Sequence, residues 1–433
     1  MKKYLLSTFT FGAMFLFASR AGAATKTLDE CVASAMTRNA DARSTDLDVT
    51  AAEDARSGSK GEMLPKLRAD GSLQQWDRPF ELPFGPAVFR VRDAFTWNAT
   101  VTVTQPITGL FETYAKYKVD AIGVDVAELH RQASRRDLAY RVAETYLRLL
   151  EAERLAEVAK TSITQLEAQL KQAQSLLANG VIGRNDELRA ELALASAKQR
   201  EIQVRGQVLV TRAALAAMIG TPEDTTLEPA PIAGEPPPND ESSAESAAAK
   251  AITQRLELRE LDERIGREDA RVSSQRAKLY PNLSAVGSYM HVAGSAFQLA
   301  DSGYIGAVAS WEIWDWGTTH SAMHVAEAKR EQAKLARQSA AATIRVEAQR
   351  AFVELESAKE ALSVARTARD QAEENYRIVA KRFEQSAASS FDVVDAESLL
   401  TTSRAQVENA FYGYLIARLA LQRATGGTSP RLR

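Results

Sequence analysis

Among 433 residues there is a single cysteine, Cys31, which excludes a disulfide framework and any CxxC zinc site. The 54 basic and 56 acidic side chains leave a net charge of −2, so the basic excess of a general nucleic-acid binder is missing. Beyond the N-terminal segment no run of about 18 apolar residues occurs, and no membrane-spanning helix is expected. Histidines number four. His320 and His324 have the spacing of a zinc pair, but the HExxH glutamate is absent and His130 and His291 lie far away, so no metal site is expected. No phosphate loop, nucleophile elbow or pair of catalytic carboxylates is found, which argues against an enzyme and against a cofactor. With a mean hydropathy of −0.27, these averages describe a large, soluble, α-rich chain.

The N-terminus contradicts that description. Lys2 and Lys3 precede an apolar stretch over residues 4–18 that ends in Ala21, Gly22 and Ala23. A charged start, a short apolar core and a small-x-small site are the marks of an export signal, expected to span residues 1–23. Cys31 follows Thr27, Leu28, Asp29 and Glu30 rather than a small-residue lipobox, so no lipid anchor is expected there.

The chain is also written twice. Pro65, Leu67, Ala69, Gly71 and Ser72 return as Pro281, Leu283, Ala285, Gly287 and Ser288, a constant offset of 216. Asp186, Ala190, Glu191 and Gly220 return as Asp392, Ala396, Glu397 and Gly426, an offset of 206. The insert RPFELPFGPAVFR at 78–90 has no counterpart and accounts for the difference. Half of the chain is about 216 residues, so the duplication is of nearly everything, beyond solenoid periods. The expected division is a first repeat over 24–220, a proline-rich acidic linker over 221–250, a second repeat over 251–426 and a tail over 427–433.

Each copy opens with an expected helix, about 28–58 and 246–278, stopped by Pro65 or Pro281. Period-two alternation follows: Leu67, Ala69, Gly71 and Leu73, then Trp97, Ala99, Val101 and Val103, against polar partners. In the second copy Leu283, Ala285, Gly287 and Tyr289 form one strand, and Ile305, Ala307, Ala309, Trp311 and Ile313 the return strand. All five tryptophans (Trp76, Trp97, Trp311, Trp314, Trp316) lie in or beside these strands, where a membrane β-barrel places its interfacial aromatics. A half-buried soluble sheet would favour them too.

The rest is helix. Residues 113–178 contain no proline and one glycine, Gly123, with apolar residues from Leu149 to Leu177 at spacings of three and four. A helix of some 65 residues is about 100 Å long. The return helix is expected to pack on Leu188, Leu192, Ala195, Ile202, Leu209, Ala213 and Ala216, and the second copy on the seam from Ala351 through Leu355 and Leu362 to Phe383. Alanine, 75 residues in all, suits closely approaching helices.

Four strands cannot close a barrel, because open edges leave backbone groups unpaired in lipid at several kcal/mol each. Two chains would supply eight strands and three would supply twelve. The rival reading is a periplasmic coiled-coil adaptor or scaffold that never enters the membrane.

On its duplicated helix–strand–strand–long-helix unit, its Pro65 and Pro281 strand openings, its Gln105-Pro106-Ile107 turn and the segment RFEQSAASSFDVVDAES at 382–398, the chain resembles the outer-membrane efflux protein (TolC-like) family over the whole mature sequence. The resemblance implies a mainly α fold with a small β part: a homotrimer joining a 12-stranded outer-membrane β-barrel to a long periplasmic α-helical barrel. It implies an exit duct of a tripartite efflux or type I secretion system, partnered by a periplasmic adaptor, an inner-membrane pump and outer-membrane lipid. The helix turns at 178–186 and 384–392 would form the periplasmic tip. Asp392 and Asp395, with Asp186 and Arg184, match the entrance, and Gly180, Val181, Ile182, Ser386 and Ala387 match the adaptor-docking tip. Where the family often carries a glycine and a basic clamp residue, this chain has Ser386 and Ala388, leaving Arg184 as the substitute charge.

Overall fold

A computed structural model describes residues 24–221, 227–229, 241–385 and 387–431; the expected export signal, most of the linker and Ser386 lie outside them. The first copy runs β1 (Ala24–Lys26), α1 (Leu28–Arg38), α2 (Ala40–Glu62), β2 (Lys66–Gln75), β3 (Phe80–Phe84), β4 (Ala87–Pro106), α3 (Gly109–Ala178) and α4 (Arg184–Ile219). The second runs β5 (Leu227–Pro229), α5 (Ala244–Gln254), α6 (Leu256–Ala277), β6 (Asn282–Ser295), β7 (Asp301–Ser310), α7 (Thr318–Glu384) and α8 (Ser390–Ala424). The fold is mainly α with a small antiparallel sheet. Two helices, of 70 and 67 residues, reach about 100 Å each.

The duplication is visible down to the caps. Thr27 caps α1 and Ser243 caps α5, each accepting from a backbone N–H three residues on. The opening helices, expected to be continuous, are both broken, at Asn39 and at Arg255, which are extended in ψ. The break frees a side chain at each point to reach the end of the copy's last helix. Asn39 Nδ2 donates to the Met218 carbonyl at 3.0 Å, and Arg255 Nη1 to the Ala424 carbonyl at 3.4 Å. Just beyond, Gly220 and Gly426 have φ of +63° and +88°. A Cβ on Gly220 would meet Arg38 Cβ at 2.7 Å, and one on Gly426 would meet Gln254 Cβ at 2.8 Å, so only glycine fits. The helix α5 also begins inside the stretch expected to be linker, because Ala247, Ala248 and Ala251 are buried there, alanines that composition alone counted as part of a low-complexity run.

These short helices close the mid-height core. Cys31, Ala35, Tyr146, Leu147, Leu215, Ile219, Ala247, Leu258, Leu355 and Leu415 pack in one cluster. Cys31 is 1% exposed, and burial pushes its thiol up to about 11. A chain of ion pairs crosses from one copy to the other at this level. Arg136, buried, donates to Glu257 at 2.6 and 3.2 Å and to Asp137 at 2.9 and 3.2 Å. Arg423 also holds Asp137, while Arg255 joins Glu257 to Glu347.

The expected seams divide. On α7, Ala351, Leu355, Leu362, Ala365, Ala372 and Phe383 are buried. On α4 most of the expected stripe points the other way: Leu188, Leu192, Ile202 and Leu209 are 48–69% exposed, and of the stripe Ala216 is buried, together with Ala190, Leu194, Ala197 and Leu215. The helix carries two apolar faces, and its periodicity could not say which one its own chain covers.

Candidate channel wall and helical tip

The sheet order is β2-β4-β6-β7, with β3 pairing only with β4. All neighbours are antiparallel, so residues in register share a face. One face carries Leu67, Ala69, Gly71 and Leu73 beside Val103, Val101, Ala99 and Trp97, continuing into Ala293, His291, Tyr289, Gly287, Ala285 and Leu283, then Asp301, Ile305, Ala307 and Ala309; it is apolar but for the Tyr289, His291 and Asp301 cluster at its remote end. The other carries Arg68, Asp70, Ser72 and Gln74 beside Thr102, Thr100, Asn98 and Thr96, with Ser288 and Ser284. Hydrogen bonds tie the polar face, such as Ser72 to Asn98 at 3.0 Å and Thr102 to Ser288 at 3.2 Å. Among the described residues β2 and β7 each pair on one side only, so both edges of the sheet are open. The 78–90 insert prolongs β4 into a hairpin with β3 at the end remote from the helices, with Phe84 and Phe89 exposed.

The tryptophans fall into two bands. Trp76 and Trp97 stand at the remote end, where Trp76 donates to Thr96 and Trp97 faces His291 with ring centroids 4.8 Å apart. Trp311, Trp314 and Trp316 stand at the helix end, all exposed. The return strand ends at Ser310, so Trp311 and Ile313 lie in the connection rather than in the strand expected of them. There Asp315 accepts from the Gly317 and Thr319 backbone and from the Thr318 hydroxyl, which turns the chain into α7.

At the far end of the helices the two turns meet. Asn179 ends α3, and Gly180, with φ +70°, lets Gly180 N bond to Leu177 O and Val181 N to Leu176 O, both at 2.9 Å. That is the Schellman closure. It leaves Val181 exposed and Ile182 half-buried at the apex. Arg184 pairs with the buried Glu187, so its charge is already engaged within the chain. In the second turn Ala387 is exposed, and its N–H bonds to the Arg382 carbonyl at 2.8 Å. Ser390 Oγ donates to the Asp186 carbonyl at 3.1 Å and joins the two turns.

Asp186 and Asp392 occupy the same position, the third residue of α4 and of α8. Asp392 forms a capping box with Ser389, accepting from the Ser389 backbone at 2.8 Å while Ser389 Oγ accepts from its N–H. Those hydrogen bonds hold its carboxyl below the usual carboxylate range. Gly183 has no side chain, so Asp186 has no such partner. Asp395, one turn on, is exposed, with no ion pair or hydrogen bond to its carboxylate among the described residues. It borders a groove of about 470 Å³ between α4 and α8, lined also by Arg189, Arg200, Phe391 and Leu192. Arg189 lies 5.3 Å from the Phe391 ring. Behind the groove the buried Glu397 accepts from Ser162 at 2.5 Å and Thr401 at 2.8 Å. The spacing of Arg189, Arg200 and Phe391 carried no signal, because they converge only when α4 and α8 pack.

Comparison with known proteins agrees with this architecture. The outer membrane efflux protein family matches residues 32–221 and 247–427, both copies and not the segment between. The pyoverdine export outer membrane protein OpmQ of Pseudomonas putida is 24% identical over 314 residues, 70% of this chain; the chain spans 65% of that relative's length. The CmeC outer membrane channel of Campylobacter jejuni superposes with a TM-score of 0.81 at 14% identity, covering 100% of this chain and 95% of its own. The outer membrane protein VceC of Vibrio cholerae superposes at 0.80 with 16% identity, covering 92% and 96%. With both repeats matched and the fold shared end to end, the chain belongs to the outer membrane efflux protein family, the TolC-like channels of the outer membrane.

Proposed function

We propose that three copies of this chain close into one exit duct of a tripartite efflux or type I secretion system. The carrying observation is the pair of open edges on β2 and β7. Unpaired backbone groups in lipid cost several kcal/mol each, and β7 of one copy on β2 of the next removes both edges. Three copies are favoured over two because an eight-stranded barrel is filled by its own side chains, whereas twelve strands leave a bore. The exposed α4 stripe of Leu188, Leu192, Ile202 and Leu209 then packs on a neighbouring copy. The apolar sheet face meets lipid and the Thr- and Ser-rich face lines the water path.

The two tryptophan bands sit at the two membrane interfaces. Along β6, Asn282 near the Trp311 end and Ala293 opposite Trp97 are about 36 Å apart at 3.3 Å per residue. A strand tilt of about 40° reduces that to about 28 Å, the thickness of hydrocarbon. The helical tip then lies deep in the periplasm, where Gly180, Val181, Ile182 and Ala387 meet an adaptor, which passes substrate from an inner-membrane pump. Asp395, Asp392 and Asp186 form the acidic entrance, three copies of each favouring cations. With Arg184 held by Glu187, closure there rests on packing and on the Ser390–Asp186 link. Two measurements test the duct: cross-linking in membranes should trap a trimer, and purified protein should conduct in a planar bilayer. A mature chain found wholly in the soluble periplasm, as a scaffold would be, refutes it.

A further inference from the structure

Directly below the Trp311 band, a groove of about 660 Å³ separates the start of α3 from the end of α6. Phe111, Tyr114 and Lys118 line one wall and Arg276 and Tyr280 the other. The aromatic rings are 59–73% exposed. Lys118 and Arg276 form no ion pair or side-chain hydrogen bond among the described residues; Glu62, Asp120 and Asp269 are engaged elsewhere, with Lys116, Ser59 and Arg330.

The groove adjoins the Trp311 band. Trp311 follows β7 directly, and its indole N–H donates to the Leu279 carbonyl at 3.2 Å, next to Tyr280. Phe111, Tyr114 and Lys118 share one face of α3 by their spacing, while Lys116 and Asp120 turn toward α2. Assembly does not cover it. Helices follow the strand order, with α3 and α6 adjacent inside one chain and α2 and α7 at its margins.

Depth agrees with a phosphate at the membrane surface. Arg276 lies in the last turn of α6, beside the sheet, and Lys118 follows Thr108 by ten residues, about 15 Å below it. A lysine stem rising about 6 Å brings its ammonium to about 9 Å, at the outer margin of a headgroup layer that extends about 5–8 Å beyond the hydrocarbon.

We propose that this groove holds one anionic phospholipid of the periplasmic leaflet on each copy, its phosphate between Lys118 and Arg276 and its acyl chains rising past Phe111, Tyr114 and Tyr280. Charge-assisted hydrogen bonds to phosphate supply the headgroup preference. The aromatic wall, continuous with the Trp311 band, supplies the chain contact. Such a lipid would fix the height of the duct in the membrane.

The test is native mass spectrometry of the detergent-purified oligomer titrated with phosphatidylglycerol or phosphatidylcholine. Wild type should retain phosphatidylglycerol about tenfold more tightly than phosphatidylcholine. Lys118→Gln with Arg276→Gln should erase that difference while the oligomer elutes unchanged, and Phe111→Ala with Tyr114→Ala should weaken both lipids. Equal retention of the two lipids by wild type, an unaltered preference in the charge variant, or displacement of the lipid by millimolar inorganic phosphate would overturn the assignment. Conductance of the charge variant, measured alongside, separates failure of this site from failure of the duct.

Discussion

Replacing Arg136 with alanine should expose how the two copies are held together at mid-height. Its side chain is 2% exposed and supplies four hydrogen bonds to Glu257 and Asp137. Breaking a buried ion pair from one side costs about 3–5 kcal/mol. Here Glu257 keeps Arg255 and Asp137 keeps Arg423, so the lower end, about 3 kcal/mol, is expected. At about 2.1 cal/mol/K per residue, a chain of this length unfolds with an entropy near 0.9 kcal/mol/K, so the melting temperature should fall about 3 °C. The pH dependence checks the cause. Burial raises both carboxyls, but hydrogen bonds from Arg423 and Arg136 to Asp137, and from Arg136 to Glu257, outweigh it and hold both below the usual range. Carboxyls depressed in the folded state contribute fully above their unfolded values, about 4, and lose that contribution as pH falls through the folded ones. Wild type should therefore lose stability steeply below about pH 4, and Arg136→Ala less steeply. Circular dichroism melts of the detergent-solubilised protein at pH 7 and through the acid range would show it. A variant melting within about 1 °C of wild type, with the same acid slope, would refute the reasoning.

Other perturbations follow from single positions. Gly426→Ala should destabilise by more than the 1–2 kcal/mol of a left-handed residue, because its Cβ also strikes Gln254; a drop in oligomer yield on a gel reads it. Gly123→Ala, inside α3 with open space around it, should instead stabilise the fold through helix propensity by up to about 1 kcal/mol, read as a raised melting temperature. Asp395→Ala should raise single-channel conductance and weaken cation preference more than Asp392→Ala, whose carboxyl is tied to Ser389; identical currents would remove Asp395 from the entrance. Val181→Glu should reduce adaptor cross-linking while leaving conductance intact, since Val181 is exposed at the apex.

The repeat, the strand alternation and the long helices were legible in sequence because each is a local period, and a duplication repeats it. Pro65 and Pro281 marked where helix gives way to strand, and the alternating sets of Leu67 and of Val103 fall in register on one face. Boundaries set by partners were not legible. Arg255 looks like an ordinary helix residue, while Asn39 caps α2 by accepting from the Asp41 N–H at 2.9 Å; each also reaches a carbonyl near the end of a distant helix. Trp311 alternates like a strand residue, yet Asp315 turns the chain before a strand can continue.

The sequence by itself determined what each segment is: which side chains are apolar, at what period, and that the four strands of one chain cannot close their own edges. Only the tertiary structure decided which way the faces point. Leu188, Leu192, Ile202 and Leu209 make a good apolar stripe, but α4 packs on its other side through Ala190, Leu194 and Leu215 and leaves the stripe exposed. Asp392 and Asp395 are both acids of one helical turn; a local capping box ties Asp392 to Ser389, whereas only packing sets Asp395 over a groove shared with α4. Periodicity is a property of one chain segment; the choice of face is a free-energy difference between alternative neighbours, which exist only once the helices are assembled.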